Sequence, residues 1–162
     1  MSEQNILTLF ILLVVFNFLF TSLLEYLNNK NWKDKIPEIL KGFYNDKKYL
    51  KSKNYKTDHG KIQTISSFIS FLFTIIVLYF GLFGVISDYL KSFSESLILQ
   101  SFLFLAFFYL ISFFIGIPFS YYSTFVIEEK YGFNKTNLKT FILDKIKGLL
   151  LSAFLLILLT AG

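Results

Sequence analysis

Three stretches of this chain, Ile6 to Leu27, Ile62 to Ile86 and Leu97 to Ile117, are apolar enough and long enough to cross a lipid bilayer as helices. A hydrocarbon core about 30 Å thick takes roughly 20 residues at a rise of about 1.5 Å each, and every one of these runs meets that length. Lipid offers no partner for backbone N–H and C=O groups, so such runs must satisfy their hydrogen bonds internally, as helices do. The expected fold class is all-α, a polytopic transmembrane helical domain. A fourth run, Leu149 to Thr160, is apolar but shorter, and it stops without the polar or aromatic flank that marks an exit from the membrane. The expectation is three full spans plus a truncated fourth, in a chain that reads as a fragment or as one domain, residues 1–162, of something larger.

Composition agrees: 54% of the residues are hydrophobic and 20% aromatic, far from the usual globular mixture. The first run has no basic leader before it and no small-residue cleavage site after it, so it reads as a retained span. The absence of Cys excludes disulfides and thiolate metal sites. The net charge of +5 comes from Lys clustered in connectors beside apolar runs, which suits anionic lipid head groups. No nucleic-acid motif accompanies it, so the expected partner is the bilayer and not a nucleic acid. The single histidine, His59, reads as a solvated residue of a lysine-rich loop, because a zinc site needs three or four converging ligands.

Lys-rich connectors stay on the cytoplasmic side, and that rule sets the topology. The segment from Asn28 to Lys61 carries Lys30, Lys33, Lys35, Lys41, Lys47, Lys48, Lys51, Lys53, Lys56 and Lys61, so it belongs inside. Ser87 to Ser96 has only Lys91, and no Lys precedes the first run, so both belong outside. Pro118 to Lys147, with Lys130, Lys135, Lys139, Lys145 and Lys147, returns to the inside. The heavy use of Lys, Asn, Ile and Phe points to an AT-rich genome and a bacterial inner membrane, with the endoplasmic reticulum membrane as the alternative.

Polar residues within the runs fall in stripes. Asn17, Thr21 and Glu25 share one face of the first helix, and Ser67, Ser70, Thr74, Gly81 and Gly84 follow a 3-and-4 spacing in the second. Small and hydroxylated stripes let helix backbones approach in lipid, while Asn17 and Glu25 alternatively face a water-filled interior. In the first cytoplasmic segment Ile36, Ile39, Leu40, Phe43 and Tyr44 predict an amphipathic helix, with Pro37 in its first turn, lying on the membrane or docked on another domain.

The connector after the third run is unusually polar. Pro118 is expected to end or kink the span, Tyr121 and Tyr122 to sit at the interface, and Gly132 to permit a tight turn over Lys130 to Asn134. Asn134, Thr136 or Asn137 can cap the helix that follows. Glu128 and Glu129 point to different faces of any helix, which makes them a poor general acid and base pair.

The run "FSYYSTFVIEEKYGFNKTNLKTFILDKIK" closely resembles the signature region in the N-terminal membrane domain of the Ste24-type CAAX prenyl proteases, the M48 zinc metallopeptidases of the membrane. The matching positions are Tyr122, Thr124, Phe125, Val126, Ile127, Glu128, Glu129, Lys130, Gly132, Phe133, Asn134, Lys135, Thr136, Phe141, Asp144 and Lys147. Upstream, Tyr49, Ser52 and Tyr55 are similar to the family's first cytoplasmic loop. Two positions depart from the pattern: Tyr131 stands where Phe or His is usual, and Ser123 where an Arg is frequent.

The resemblance implies seven helices around an intramembrane chamber and a zinc site built from HExxH and a later Glu. In such a motif two histidines at i and i+4 hold the metal while the intervening Glu activates a water. This chain contains no HExxH, so no residue of it is expected to be catalytic or to bind a metal or cofactor. Zinc is expected in a C-terminal protease domain of the same polypeptide, with this chain as part of the chamber wall. The competing reading is a free-standing, non-catalytic membrane scaffold that binds lipid or a partner.

Overall fold

The computed structural model describes residues 2–30 and 45–161. The amphipathic helix expected around Ile36 to Tyr44 lies outside the described residues. Every described element is helical: α1 (Glu3–Lys30), α2 (Asp46–Tyr79), α3 (Leu82–Phe93), α4 (Leu97–Tyr122), a π-helical segment (Ser123–Glu128) and α5 (Leu138–Ala161). Helices covering Gln4–Lys30, Asp46–Tyr79 and Leu97–Glu128 have the length and apolarity to cross a membrane. The chain is an integral membrane helical domain.

Three of the helices, α1, α2 and α5, begin where the sequence supplies a side-chain cap. The Ser2 hydroxyl accepts from the Asn5 N–H at 3.3 Å at the start of α1. Asn45 Oδ1 accepts from the Lys47 N–H at 2.9 Å ahead of α2. Of the three capping candidates before α5, the structure selects Asn137, whose Oδ1 accepts from the Thr140 N–H at 2.8 Å.

Three expectations are corrected. The lysine-rich segment up to Lys61 is not all loop, because α2 starts at Asp46 and residues 46–61 form a charged helical arm ahead of the apolar run. The second span does not continue to Ile86: α2 stops at Tyr79, Gly81 adopts φ 63°, and α3 starts anew at Leu82. A Cβ added at Gly81 or Gly84 would meet nothing within 4 Å, so neither serves a close helix approach. Of the two outcomes expected for Pro118, ending or kinking the third span, the structure rules out the first. Pro118 lies inside α4, and the helical path runs on through Ser123–Glu128 with the wider π spacing.

The chain divides into two compact units, Met1–Ile75 with Phe119–Asn134, and Ile76–Pro118 with Lys135–Gly162. In the first, Phe18 of α1 stacks on Phe71 of α2 at 4.3 Å. In the second, Phe83 of α3 packs on Phe108 of α4 at 4.7 Å, and the Tyr109 hydroxyl donates to Ser152 Oγ of α5 at 2.7 Å. Large apolar side chains remain outside, Phe16 at 66% and Leu12 at 60% exposure. Faces of that kind are a liability in water and are the expected lipid contact here. Burial is concentrated elsewhere: Tyr49, Ile127 and Tyr131, three of the most buried apolar side chains, belong to the charged arm of α2 and to the segment after α4.

Candidate functional site

The candidate site is the place where that arm meets the segment Ser123–Asn134. The segment's shape follows from its own hydrogen bonds. The N–H of Phe133 donates to the Glu128 carbonyl at 2.8 Å and the N–H of Gly132 to the Glu129 carbonyl at 2.9 Å. This paired pattern closes a helix when the residue after its cap is left-handed. Gly132 supplies that conformation at φ 67°, as the tight-turn reading requires.

The α2 arm offers Lys51, Tyr55, Asp58 and His59 at 3-and-4 spacing, hence on one face. All four engage the turn. Lys130 Nζ donates to Asp58 Oδ2 at 2.6 Å and the Tyr131 hydroxyl to the same oxygen at 2.8 Å, while Lys61 Nζ reaches Oδ1 at 3.2 Å. His59 Nε2 and Ser123 Oγ share a hydrogen bond of 2.7 Å. Tyr55 meets the ring of Phe133 edge-on at 5.0 Å and that of Tyr131 at 5.7 Å, and Lys51 Nζ sits 4.8 Å from the Phe133 centroid.

These donors hold the Asp58 carboxyl down at about 2, chiefly through Lys130 and then Tyr131. The Asp58 hydrogen bond likewise raises Lys130, and burial followed by the Asp58 bond raises the Tyr131 hydroxyl. A carboxylate so fully engaged is an anchor and a poor proton carrier near neutral pH. Among the described residues no carboxylate is shown bonded to His59, as the acid that orients the imidazole of a nucleophilic triad would be. The expectation of a solvated His59 is therefore corrected, since the residue is helical, half-buried and bonded across the site.

The family-signature residues are distributed as follows. Tyr122 ends α4, Thr124, Phe125 and Glu128 lie in the π segment, and Glu129, Lys130, Gly132, Phe133 and Asn134 form the turn. Glu129 Oε2 accepts from Asn134 Nδ2 at 2.9 Å. Lys135 is exposed in the stretch before α5, and Asp144 and Lys147 pair with one another on α5 at 3.9 Å. Sequence reading missed Asp58, whose partners lie far away along the chain. The one available signal was its place on the same helical face as Tyr55.

Within the first unit the two polar stripes face a common groove of about 470 Å³, lined among others by Asn17, Thr21, Glu25, Ser67, Ser70 and Thr74. At its end the Thr64 hydroxyl donates to Glu25 Oε2 at 3.2 Å. The described residues do not fit zinc: nowhere do three His, Cys, Asp or Glu side chains converge as ligands, and His59 is engaged with Ser123.

Residues 25–162 match the family described as CAAX prenyl protease N-terminal, five membrane helices. The chain belongs to that family. Curated relatives of this CAAX prenyl protease family include a CAAX prenyl protease 1 homolog of Arabidopsis thaliana, 35% identical over 74% of this chain and 30% of that protein. A probable CAAX prenyl protease 1 of Schizosaccharomyces pombe is 38% identical over 76% of this chain and 29% of its own length. The crystal structure of S. mikatae Ste24p superposes with a TM-score of 0.79 at 28% identity, covering 96% of this chain and 37% of that one. The chain thus spans about a third of the proteins it matches and corresponds to the N-terminal membrane domain of Ste24-type homologues. Ser123 and Tyr131, expected from the sequence to differ from the family pattern, bond to His59 and Asp58 respectively.

Proposed function

We propose that this chain is the membrane half of a Ste24-like zinc metalloendopeptidase, forming part of the chamber wall and the frame on its cytoplasmic side. The zinc-binding protease domain would lie elsewhere in the same polypeptide, a reading supported by the share of the relatives, about a third, that the chain spans. Its task would be prenyl-protein processing or turnover of membrane proteins. The observation that carries the proposal is the anchored signature turn, in which residues 122–134 are held on the α2 arm through Asp58. A rigid junction at the end of a span is what a domain needs in order to hold other elements in register.

The N-terminus would lie outside and the Lys-rich segments in the cytoplasm, as the distribution of lysines supports. The membrane would be a bacterial inner membrane on the composition argument, or that of the endoplasmic reticulum given the eukaryotic relatives named above. The chain has no Cys, so single cysteines probed with an impermeant maleimide test the topology directly. Lys48→Cys should label from the cytoplasmic side only, and Ser2→Cys from the opposite side only.

The activity test compares the longer polypeptide with this chain alone on a farnesylated peptide. Chelator-sensitive hydrolysis by the former and none by the latter is expected. Hydrolysis by the isolated chain in the presence of chelator would overturn the proposal.

A further inference from the structure

A second cleft, of about 430 Å³, opens in the first unit between α2 and the end of α4, beside the Asp58 anchor. Its walls are unlike those of the polar groove. Ile62, Ile65, Val126 and Tyr122 form an apolar side, and Lys61 and Lys130 stand at one end. Ile65, Val126 and Tyr122 are 51%, 41% and 46% exposed, so the apolar side is open to the surroundings.

Two independent boundaries coincide here. The apolar run of α2 begins at Ile62, immediately after Lys61, and the apolar run of α4 and its π extension ends at Ile127, just before Glu128, Glu129 and Lys130. Both helices therefore pass from hydrocarbon to water at the level of this cleft, which is where a phospholipid phosphate lies.

Charge points the same way. The two ammonium groups share one carboxylate, so the cluster of Lys61, Lys130 and Asp58 carries a net single positive charge. Each ammonium has three N–H donors, and Asp58 occupies one of each, which leaves donors for a further acceptor. The lysine side chains are 70% and 60% exposed and reach outward from the bridge. The Asp58 carboxylate opposes an anion, but its oxygens are already committed to Lys61, Lys130 and Tyr131, and Glu128 and Glu129, next to Lys130 in sequence, do not line the cleft.

We infer that this cleft is a binding site for an anionic phospholipid, with the phosphate between Lys61 and Lys130 and an acyl chain along Ile65, Val126 and Tyr122. The open apolar side favours a lipid over a free phosphate ion, which would leave that surface exposed.

The test uses the full chain carrying Trp32→Phe, which removes the native tryptophan, together with Ile65→Trp, reconstituted into phosphatidylcholine vesicles with brominated phosphatidylglycerol or brominated phosphatidylcholine as quencher. Stronger quenching by the phosphatidylglycerol is expected, with a preference of roughly fivefold for each lysine engaged. Lys61→Gln should lower that preference roughly fivefold and Lys61→Gln/Lys130→Gln should abolish it. Lys47→Gln, which deletes a charge on the same arm away from the cleft, should leave it unchanged. Because Lys61 is 70% exposed and, among the described residues, bonds to Asp58 alone, its variant should keep the parent elution profile.

Equal quenching by the two lipids, or none by either, overturns the site. So does an equal loss of preference on Lys47→Gln, which would mean diffuse attraction to the surface. Full displacement by millimolar inorganic phosphate would show an ion site and overturn the lipid assignment.

Discussion

Lys130 Nζ lies 2.6 Å from Asp58 Oδ2, closing a gap of 72 residues in sequence, and the same oxygen accepts the Tyr131 hydroxyl. One carboxylate thus fixes the turn that follows α4 onto the charged arm of α2. Asp58→Asn removes the charge while keeping the shape, and leaves Lys61, Lys130 and Tyr131 to share one neutral amide oxygen where two charged oxygens stood. The loss should be about 1 kcal/mol, below the roughly 1.5–3 kcal/mol of hydrogen bonds to a charged group because the Lys130 side chain is 60% exposed and water screens the pair. Thermal unfolding in detergent should show it, whereas Asp144→Asn, which affects only a wide exposed pair, should change the midpoint little.

The same anchor predicts an acid limb. The Asp58 carboxyl titrates at about 2 in the fold against 3.8 for an unperturbed group. A depressed pKa contributes stability that is complete above the ordinary value and is lost as pH falls through the folded one. The stability gap between the parent and Asp58→Asn should be constant from neutral pH to about 4 and close as pH falls toward 2. For Lys130 and Tyr131, both raised, the contribution is complete below their ordinary values of 10.5 and 10.0 and falls only at higher pH. A gap that closes already between pH 7 and 5 would assign the linkage to another group.

Much of the fold was legible because lipid imposes length and apolarity so strictly that Ile6 to Leu27 and Leu97 to Ile117 could hardly be anything but helices. The anchor was not legible. Its residues, Asp58, His59 and Ser123, are ordinary polar residues whose value comes from partners distant in the chain. The arm of α2 was hidden by its lysines, which read as a solvated loop although Lys is a good helix former. The break at Gly81 was hidden by the apolar residues on both sides, which mask a single left-handed glycine.

Gly132 is the second conformational requirement of the turn. At φ 67° a Cβ costs roughly 1–2 kcal/mol, and the nearest atom, Lys51 Nζ at 3.9 Å, is flexible and adds no clash. Gly132→Ala should therefore lower the unfolding midpoint, and Gly132→Asn should lower it less, because Asn tolerates the left-handed region. Equal losses for Ala and Asn would mean that space, and not the backbone angle, is what matters.

The groove between α1 and α2 gives the last prediction. Asn17, Thr21 and Glu25 face Ser67, Ser70 and Thr74 across about 470 Å³, room for many waters at about 30 Å³ each. Polar side chains packed against lipid would be costly, whereas against water they are not. Asn17→Cys and Thr21→Cys should react with a hydrophilic maleimide several-fold faster than Phe16→Cys, although Phe16 is 66% exposed and lies next to Asn17. Thiol alkylation needs the thiolate, which forms in water and not in hydrocarbon, so the reaction rate reports hydration and not mere accessibility. If Asn17→Cys reacts as slowly as Phe16→Cys, the groove is dry, the stripes serve only to pack α1 on α2, and this face loses its claim to line a chamber.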